Sequence, residues 1–184
     1  MPKPISAADR TPIRVVIVTM DSHLASAASR ARATLRAELP GLDLAIHAAD
    51  EWSCNPAALE QCRDDIAQGD IVIATMLFLD EHIQAVLPAL AARREHCDAM
   101  IGCLSAGEVV RLTRLGRLTM SGSSGGMLSL LKRLRGSRTG NASGAGQMKM
   151  LRQMPRLLRF IPGTAQDLRA YFLTLQYWLA GSEQ

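Results

Sequence analysis

The chain has 184 residues, of which 48% are hydrophobic and 4% aromatic, and its formal net charge is +4. A globular chain of this length buries roughly 70% of its unfolded surface, so a full hydrophobic core is possible. No apolar run reaches the ~20 residues of a membrane-spanning helix, and the polar N-terminus does not read as a secretory signal, so we expect a cytoplasmic protein.

Strands and helices alternate through the first part of the chain. After a polar segment at 1–12 that we predict to be disordered, the apolar run at 13–20 (IRVVIVTM) predicts a buried strand. An Ala-rich helix follows it, and the stretch at 42–47 predicts a second, more peripheral strand. Asn55 and Pro56 then open another helix, because Asn is a good N-cap and Pro suits the first helical position.

The longest apolar run, at 71–79, predicts a strand that is buried on both faces at the centre of the sheet. The run is followed directly by Asp80, Glu81 and His82. Open α/β sheets bind their ligands at the carboxyl ends of their strands, so these three polar residues are candidate ligand contacts.

The next helix is predicted over 81–94, where Pro88 should introduce a kink or a break. The stretch at 99–104 predicts a fourth strand. Ser105 and Glu108 match a capping box, in which the two side chains bond to free amides at a helix start. We therefore predict another helix directly after this strand.

That helix should end near Gly116, which suits a left-handed cap, and 117–120 predicts a short edge strand. The alternation of strands and helices over 13–120 indicates an α/β domain with a doubly wound, mostly parallel sheet of four to five strands. The expected strand order is 2-1-3-4, as in flavodoxin-like folds, with further helices towards the C-terminus.

The composition changes after this domain. Residues 121–146 are rich in Gly, Ser and Arg and predict a flexible insertion, and 147–182 predict a helical segment that packs on the sheet domain or on a body beyond this chain. The first helical pattern has an apolar stripe at Met148, Leu151, Met154, Leu158 and Ile161. After Pro162 and Gly163, the second has its stripe at Leu168, Tyr171, Phe172, Leu175 and Leu179.

The motifs exclude several functions. SGSSGG at 121–126 lacks the Gly-Lys-Ser/Thr of a phosphate-binding loop and the GxGxxG of a dinucleotide fold. The four cysteines form no CxxC pair, and neither they nor the four histidines show metal-ligand spacing, so we expect reduced thiols and no metal site. No catalytic constellation is recognisable, so we predict no catalytic residue.

Charge provides a second candidate surface. Residues 109–166 contain eleven Lys and Arg and no acid, whereas residues 1–108 contain nine basic and fifteen acidic residues. Such a block could meet an acidic partner, although it lacks the aromatic residues and motifs of nucleic-acid-binding modules. The candidate ligand or partner contacts are therefore Asp21, His23, Asp80, Glu81, His82, Arg111, Arg114, Arg152 and Arg156. Helix capping and solvation in loops explain each of the acids singly, and we favour that interpretation of them.

Three stretches resemble a known family. They are MLFLDEHIQAVLPAL (76–90), MIGCLSAGEVVRLTRLGRLTM (100–120) and MPRLLRFIPGTAQDLRAYFLTLQYWLAGS (154–182). Together they resemble the N-terminal domain of the large, porphyrin-binding subunit in the magnesium chelatase and cobaltochelatase superfamily. The last stretch is the most specific of the three.

The resemblance implies a fragment of a longer subunit that inserts Mg²⁺ into protoporphyrin IX with ATP, in chlorophyll or bacteriochlorophyll synthesis. The implied partners are the rest of the large subunit, two ATPase subunits of the AAA+ class and porphyrin itself. The family's chelating residues lie beyond this chain, so the implied role is an accessory head that contains no cofactor and no catalytic residue. The alternative is a free-standing flavodoxin-like module that binds a ligand or regulates another protein.

Overall fold

The computed structural model describes residues 12–20, 22, 25–120 and 164–180. The predicted disorder at 1–12 falls almost entirely outside these residues, as do the predicted insertion at 121–146 and the helical pattern over 147–161. The proposed domain boundaries therefore stay predictions. In chain order the elements are β1 (Ile13–Thr19), α1 (Ala25–Glu38), β2 (Leu42–Ala48), α2 (Pro56–Gln68), β3 (Ile71–Thr75), α3 (Asp80–Arg93), β4 (Ala99–Cys103), α4 (Gly107–Arg111), β5 (Arg114–Leu115), β6 (Leu118–Thr119) and α5 (Thr164–Ala180).

The described strands form one sheet in the order β2-β1-β3-β4-β5-β6. The first four strands are parallel, and β5 and β6 extend the sheet as an antiparallel hairpin. The predicted α/β class and the order 2-1-3-4 are thus confirmed, with six strands in place of four to five. The crossover helices α2 and α3 pack against each other, and α1 packs against β2. Since parallel crossovers are right-handed as a rule, the strand order places α1 on the face opposite to α2 and α3.

Local sequence determines the start of α2 as predicted. The Asn55 side chain accepts a hydrogen bond from the backbone N–H of Ala58 at 3.3 Å, and Pro56 occupies the first turn. Pro56 has no N–H to leave unpaired there. Gly69 follows the last helical residue as the C-cap.

The central strand is shorter than its apolar run. β3 ends at Thr75, because Met76 has a φ of 60° and turns the chain away from the sheet. The prediction of a strand up to residue 79 was therefore wrong. Leu77 is fully buried beneath the turn, which explains the unbroken apolar sequence. Pro88 does not end α3, which continues through it to Arg93.

The predicted capping box is also absent. α4 begins at Gly107 with Ala106 as its N-cap, and no side chain caps it. It ends at Arg111, so the helix predicted up to Gly116 is too long. Gly116 does adopt a left-handed conformation, with a φ of 57°, but in the turn of the β5–β6 hairpin. Thr113, between α4 and β5, is fully buried and its hydroxyl accepts a hydrogen bond from the N–H of Gly102 on β4.

The core has one part on each face of the sheet. The face covered by α2 and α3 buries Val16, Val18 and Val72 completely. On the other face, α5 packs its predicted apolar stripe against β4 and the hairpin, with Leu168, Tyr171 and Phe172 buried among the residues Ile101, Cys103 and Leu118. α5 is therefore held by the sheet domain itself.

Candidate functional site

The strand order reverses between β1 and β3, because β2 lies on one side of β1 and β3 on the other. Loops that leave two such strands separate and create a crevice at the carboxyl edge, the edge at which the parallel strands end. At this edge the loop after β2 is joined to the end of β1, where the backbone N–H of Asp50 donates to the carbonyl of Met20 at 2.9 Å.

The edge loop, residues 76–79 between β3 and α3, is fastened to the end of β4. The N–H of Met76 donates to the carbonyl of Leu104 at 3.0 Å, and the N–H of Leu77 donates to the Ser105 hydroxyl at 3.1 Å. The Leu77 carbonyl accepts from the N–H of Ala106 at 2.9 Å. The Ser105 side chain, predicted to cap a helix, thus holds the edge loop instead.

Both strand ends carry backbone strain. Met76 and Leu104 have φ values of 60° and 47°, a left-handed region that residues with a Cβ rarely adopt. Each such residue costs roughly 1–3 kcal/mol and persists only where surrounding contacts enforce it, commonly at functional sites. The hydrogen bonds between the two loops are those contacts.

The edge loop presents two large apolar side chains to solvent. Phe78 is 54% exposed and Leu79 is 48% exposed. The hydrogen bonds of Met76 and Leu77 to the residues after β4 hold these two side chains in defined positions. Large apolar side chains displayed together at the surface commonly mark a contact with a partner.

Asp80, Glu81 and His82 form the first turn of α3. Asp80 and Glu81 lie where the positive end of the helix dipole stabilises carboxylates, although no side chain caps this helix. The His82 side chain is only 13% exposed, and its Nε2 lies 3.7 Å from a carboxylate oxygen of Glu81.

His82 packs against Trp52 from the loop after β2. The two rings meet edge to face, with centroids 5.9 Å apart. His82 Nδ1 and Trp52 Nε1 are both buried without a hydrogen-bond partner among the described residues. Trp52 was not among the predicted contacts, because only the tertiary fold brings its loop against His82.

The remaining candidates do not add to this edge within the described residues. Asp21, His23, Arg152 and Arg156 lie outside the described residues. Arg111 is exposed on α4. Arg114 instead donates to the backbone carbonyls of Arg94, at 2.8 Å, and Cys97. Its guanidinium thus stabilises the segment between α3 and β4, away from the edge loop.

Three of the four cysteines are buried and Cys54 is exposed. Burial raises the pKa of the Cys62 thiol to about 12 and also raises the pKa of Cys103. These two thiols are therefore protonated at neutral pH and poor nucleophiles. No group of three or more His, Cys, Asp or Glu residues within the described ranges is arranged to hold a metal ion.

His47 and Asp65 form a contact that the sequence did not suggest. His47 Nε2 lies 2.9 Å from Asp65 Oδ2, and Arg14 lies 3.9 Å from the other carboxylate oxygen. The group joins β1, β2 and α2, so its position is consistent with a structural role. None of the helices in the described parts of the chain is long and apolar enough to cross a membrane.

Comparisons with known proteins give a consistent result. A family model described as a domain of unknown function, DUF3479, matches residues 14–172. The H subunit of the magnesium chelatase of Cereibacter sphaeroides is 50% identical over 170 residues, and that of Rhodobacter capsulatus is 48% identical. The chloroplastic ChlH subunit of the magnesium chelatase of Oryza sativa is 29% identical over 177 residues.

Each of these alignments covers 92% of the chain, but only 14% of the bacterial relatives and 12% of the rice relative. The chain therefore spans about one seventh of the length of the bacterial subunits it matches.

Proposed function

We propose that this chain, which belongs to the DUF3479 family, is the N-terminal accessory region of the porphyrin-binding large subunit of a magnesium chelatase. The observation that carries the proposal is the 50% identity with a magnesium-chelatase H subunit across 92% of the chain. The higher identity with the bacterial subunits than with the rice subunit favours bacteriochlorophyll synthesis and a cytoplasmic bacterial location.

In this proposal the whole enzyme inserts Mg²⁺ into protoporphyrin IX and uses ATP through two AAA+ subunits. The N-terminal region performs no bond-making step. It positions the large subunit for porphyrin entry or for contact with the ATPase subunits. The supporting geometry is the rigidly held edge loop, which displays Phe78 and Leu79 at the carboxyl edge of the sheet.

The edge loop is best suited to contact the rest of the large subunit. Its exposed side chains are apolar, and apolar surfaces of this kind are buried in the cores of stable interfaces. The bacterial relatives are about seven times as long as the region that this chain matches, and the additional chain supplies a surface large enough to cover the edge loop. Porphyrin and the ATPase subunits are the other candidates, and they would contact the same loop only if the body leaves it open.

The basic residues have a separate proposed role. Arginine pairs well with carboxylates, so the exposed Arg111 could meet the propionates of a porphyrin or an acidic partner surface. Arg114 is a weaker candidate because its guanidinium already binds two backbone carbonyls.

Gene replacement in Cereibacter sphaeroides tests the proposed function. The region of the large subunit that matches this chain is deleted in one strain and replaced by this chain in another, and accumulation of the magnesium porphyrin is followed by its absorbance. We expect the deletion to lose the product and the replacement to restore it. Full product in the deletion strain, or no product in the replacement strain despite a stable large subunit, would contradict the proposal.

A further inference from the structure

Three described segments follow parallel strands at the carboxyl edge of the sheet. They are 49–55 after β2, 76–82 after β3 and 104–108 after β4. None of the three contains Lys or Arg, and their single His, His82, has a side chain that is only 13% exposed. Their acids are all exposed, and we call them the acidic rim: Asp50, Glu51, Asp80, Glu81 and Glu108. The whole chain has a formal net charge of +4, so the charge of this edge is opposite in sign to that of the chain.

The start of α4 brings Glu108 beside the edge loop. The N–H of Ala106, two residues earlier, donates to the carbonyl of Leu77 at 2.9 Å, and the N–H of Leu77 donates to the Ser105 hydroxyl at 3.1 Å. Leu77 directly precedes the exposed Phe78. The acid on α4 and the apolar side chains of the edge loop therefore belong to one surface.

The loop after β2 brings a second pair of acids to this surface. Trp52 directly follows Glu51 and packs edge to face against His82, with ring centroids 5.9 Å apart. His82 in turn directly follows Glu81 in the first turn of α3. Because β3 lies between β2 and β4 in the sheet order, acids flank the edge loop on both sides.

The rim acids have few partners within the described parts of the chain. There, none of them forms an ion pair with Lys or Arg, and Glu81 alone lies near a basic nitrogen, 3.7 Å from His82 Nε2. Acids away from this edge do pair with Arg, as Glu60 does with Arg63 at 2.6 Å. The carboxylates of the acidic rim are thus available to basic groups of another protein surface.

Helix dipoles explain part of this arrangement. Asp80, Glu81 and Glu108 lie in first turns of helices, where carboxylates are stabilised. The dipoles do not explain the exposure of Phe78, at 54%, and of Leu79, at 48%, which is unfavourable in water. A fixed apolar centre with charged residues around it is the usual composition of a protein interface.

We infer that the edge loop and the acidic rim bind a protein surface with an apolar centre and with Lys and Arg around it. The body of the large subunit, meaning the part outside the region that this chain matches, carries that surface. This inference rests on the proposed function and adds the charge of the contact to it. The body is by far the largest candidate, because the chain matches only 14% of the bacterial subunits. Complementary charges around an apolar centre fix the orientation of two partners and exclude wrong ones.

The acidic rim also distinguishes between the candidate occupants of this edge. A porphyrin carries propionates, which are anionic at neutral pH and are repelled by exposed carboxylates. A protein surface, by contrast, offers Lys and Arg with which the rim acids can pair. The charge of the edge therefore favours a protein contact over porphyrin.

Zero-length cross-linking tests the contact in a chimera, the large subunit of Cereibacter sphaeroides in which this chain replaces the matching region. A carbodiimide joins a carboxylate to a Lys amine only where the two are in contact, and mass spectrometry locates each link. We expect links from the acidic rim to Lys residues of the body. Asp64 on α2 and Asp98 before β4 are exposed acids away from this edge, and they should give few links or none.

Charge reversal tests the same contact without depending on Lys. The double variant Asp80→Lys and Glu81→Lys should let a protease release the region from the chimera at least about tenfold faster, because like charges then meet in the interface. The double variant Asp64→Lys and Asp98→Lys changes the net charge equally and should leave the release rate unchanged. Asp80→Asn with Glu81→Gln should give an intermediate rate. Circular dichroism of each isolated variant chain checks that it folds.

Links confined to the control acids, or equal release rates in the two lysine variants, would overturn the inference. Rim links formed only with the ATPase subunits, when these are added, would overturn the choice of the body. Protoporphyrin that shields the rim acids of the isolated chain from the carbodiimide would overturn the exclusion of porphyrin. The magnesium-insertion rate of the chimera separates the two proposals. An inactive chimera contradicts the proposed function, whereas an active one with neither rim links nor a charge effect contradicts only this inference.

Discussion

Gly102 is the residue at which β4, α5 and the start of the hairpin are joined. Its N–H donates to the Thr113 hydroxyl at 3.0 Å, and its carbonyl accepts from the same hydroxyl at 3.1 Å and from the Tyr171 hydroxyl at 3.2 Å. A Cβ at this position would collide with the backbone carbonyl of Val109 on α4. One small residue thus allows a helix, a hairpin and a distant hydroxyl to approach the same strand.

Replacing Thr113 by Val tests this arrangement. The two side chains have nearly the same shape, but Val cannot pair with the N–H of Gly102, and Thr113 is fully buried. An unpaired buried amide costs roughly 1–3 kcal/mol, so we expect the free energy of unfolding in urea to fall by that amount. Thr174→Val is the matched control, because the Thr174 hydroxyl donates to the carbonyl of Ala170 within α5 in an exposed hydrogen bond. Equal losses in both variants would contradict the assignment.

Alkaline pH should destabilise the fold because it deprotonates buried thiol and phenol groups. Burial raises the pKa of Cys62 from 9.0 to about 12, so above pH 9 the unfolded thiol releases its proton before the folded one does. Stability is therefore complete below pH 9 and is lost as the pH rises towards 12, at about 1.4 kcal/mol per pH unit for each such thiol. Burial also raises the pKa of Tyr171, which adds to the loss.

The variant Cys62→Ala should flatten this pH dependence, measured as the unfolding free energy at pH values from 8 to about 11. Cys54→Ala, which removes an exposed thiol, should leave the dependence unchanged. If the Cys62 variant keeps the full pH dependence, this thiol is not a source of the alkaline loss.

The roles of single residues could be predicted from the sequence where those roles depend only on the local backbone. Asn55 and Pro56 act at the start of α2 as expected, because capping needs only neighbouring residues. Met76 and Leu104 could not be identified, because neither is a glycine and their left-handed conformations are enforced by hydrogen bonds between separate loops. Ser105 fits a capping box in sequence, yet the fold directs its hydroxyl to the edge loop.

Among the elements, α5 shows what the helical spacing of apolar residues can predict about burial. Its stripe predicted an apolar face, and the first half of that face is buried at Leu168, Tyr171 and Phe172. Towards the C-terminal end, Leu179 is 45% exposed and Tyr177 is 65% exposed. The spacing identifies the apolar side of a helix, but the extent of burial depends on how far the sheet extends beneath it.

Phe172→Ala should therefore be severely destabilising. The ring is 6% exposed and packs edge to face with Tyr171, at 6.0 Å between centroids. Truncation of a buried Phe costs roughly 3–5 kcal/mol, which a urea unfolding curve would measure. Tyr177→Ala, on the same helix but exposed, should change stability by less than about 0.5 kcal/mol. A small loss from Phe172→Ala would show that α5 is not stabilised by this sheet.

Strand and helix lengths were predicted less well than their order. The apolar run at 71–79 is continuous, and periodicity cannot separate a strand from the buried turn that follows it. The short edge strand predicted at 117–120 is present as β6, but β5 at 114–115 was mistaken for the end of a helix, because a two-residue strand is too short to show alternation. Both errors lie where tertiary contacts with β4 determine the backbone.

At the scale of the whole molecule, the sheet order determines which residues share an edge. Asp80, Glu81 and His82 were expected at the carboxyl edge and lie beside the edge loop. The exposed side chains Phe78 and Leu79 were predicted as strand residues and not as a contact surface. Surface exposure is a property of the assembled fold, so sequence alone could not identify them.

The double variant Phe78→Ser and Leu79→Ser tests the contact between the edge loop and the rest of the large subunit. These side chains are about half exposed in this chain, so the isolated chain should lose little stability. If the larger protein buries them, its thermal unfolding temperature should fall and this region should become easier to remove by protease. Tyr177→Ser provides an exposed apolar control. Unchanged stability of the large subunit would exclude this contact.

The rate of magnesium insertion tests the central claim most directly. The large subunit of Cereibacter sphaeroides is purified intact, without the matching region, and with this chain in its place, and each is combined with the ATPase subunits, ATP, Mg²⁺ and protoporphyrin. We predict that the chimera stays within about threefold of the intact subunit and that the deletion is at least about tenfold slower. A deletion as fast as the intact subunit, or a folded chimera as slow as the deletion, would contradict the assignment.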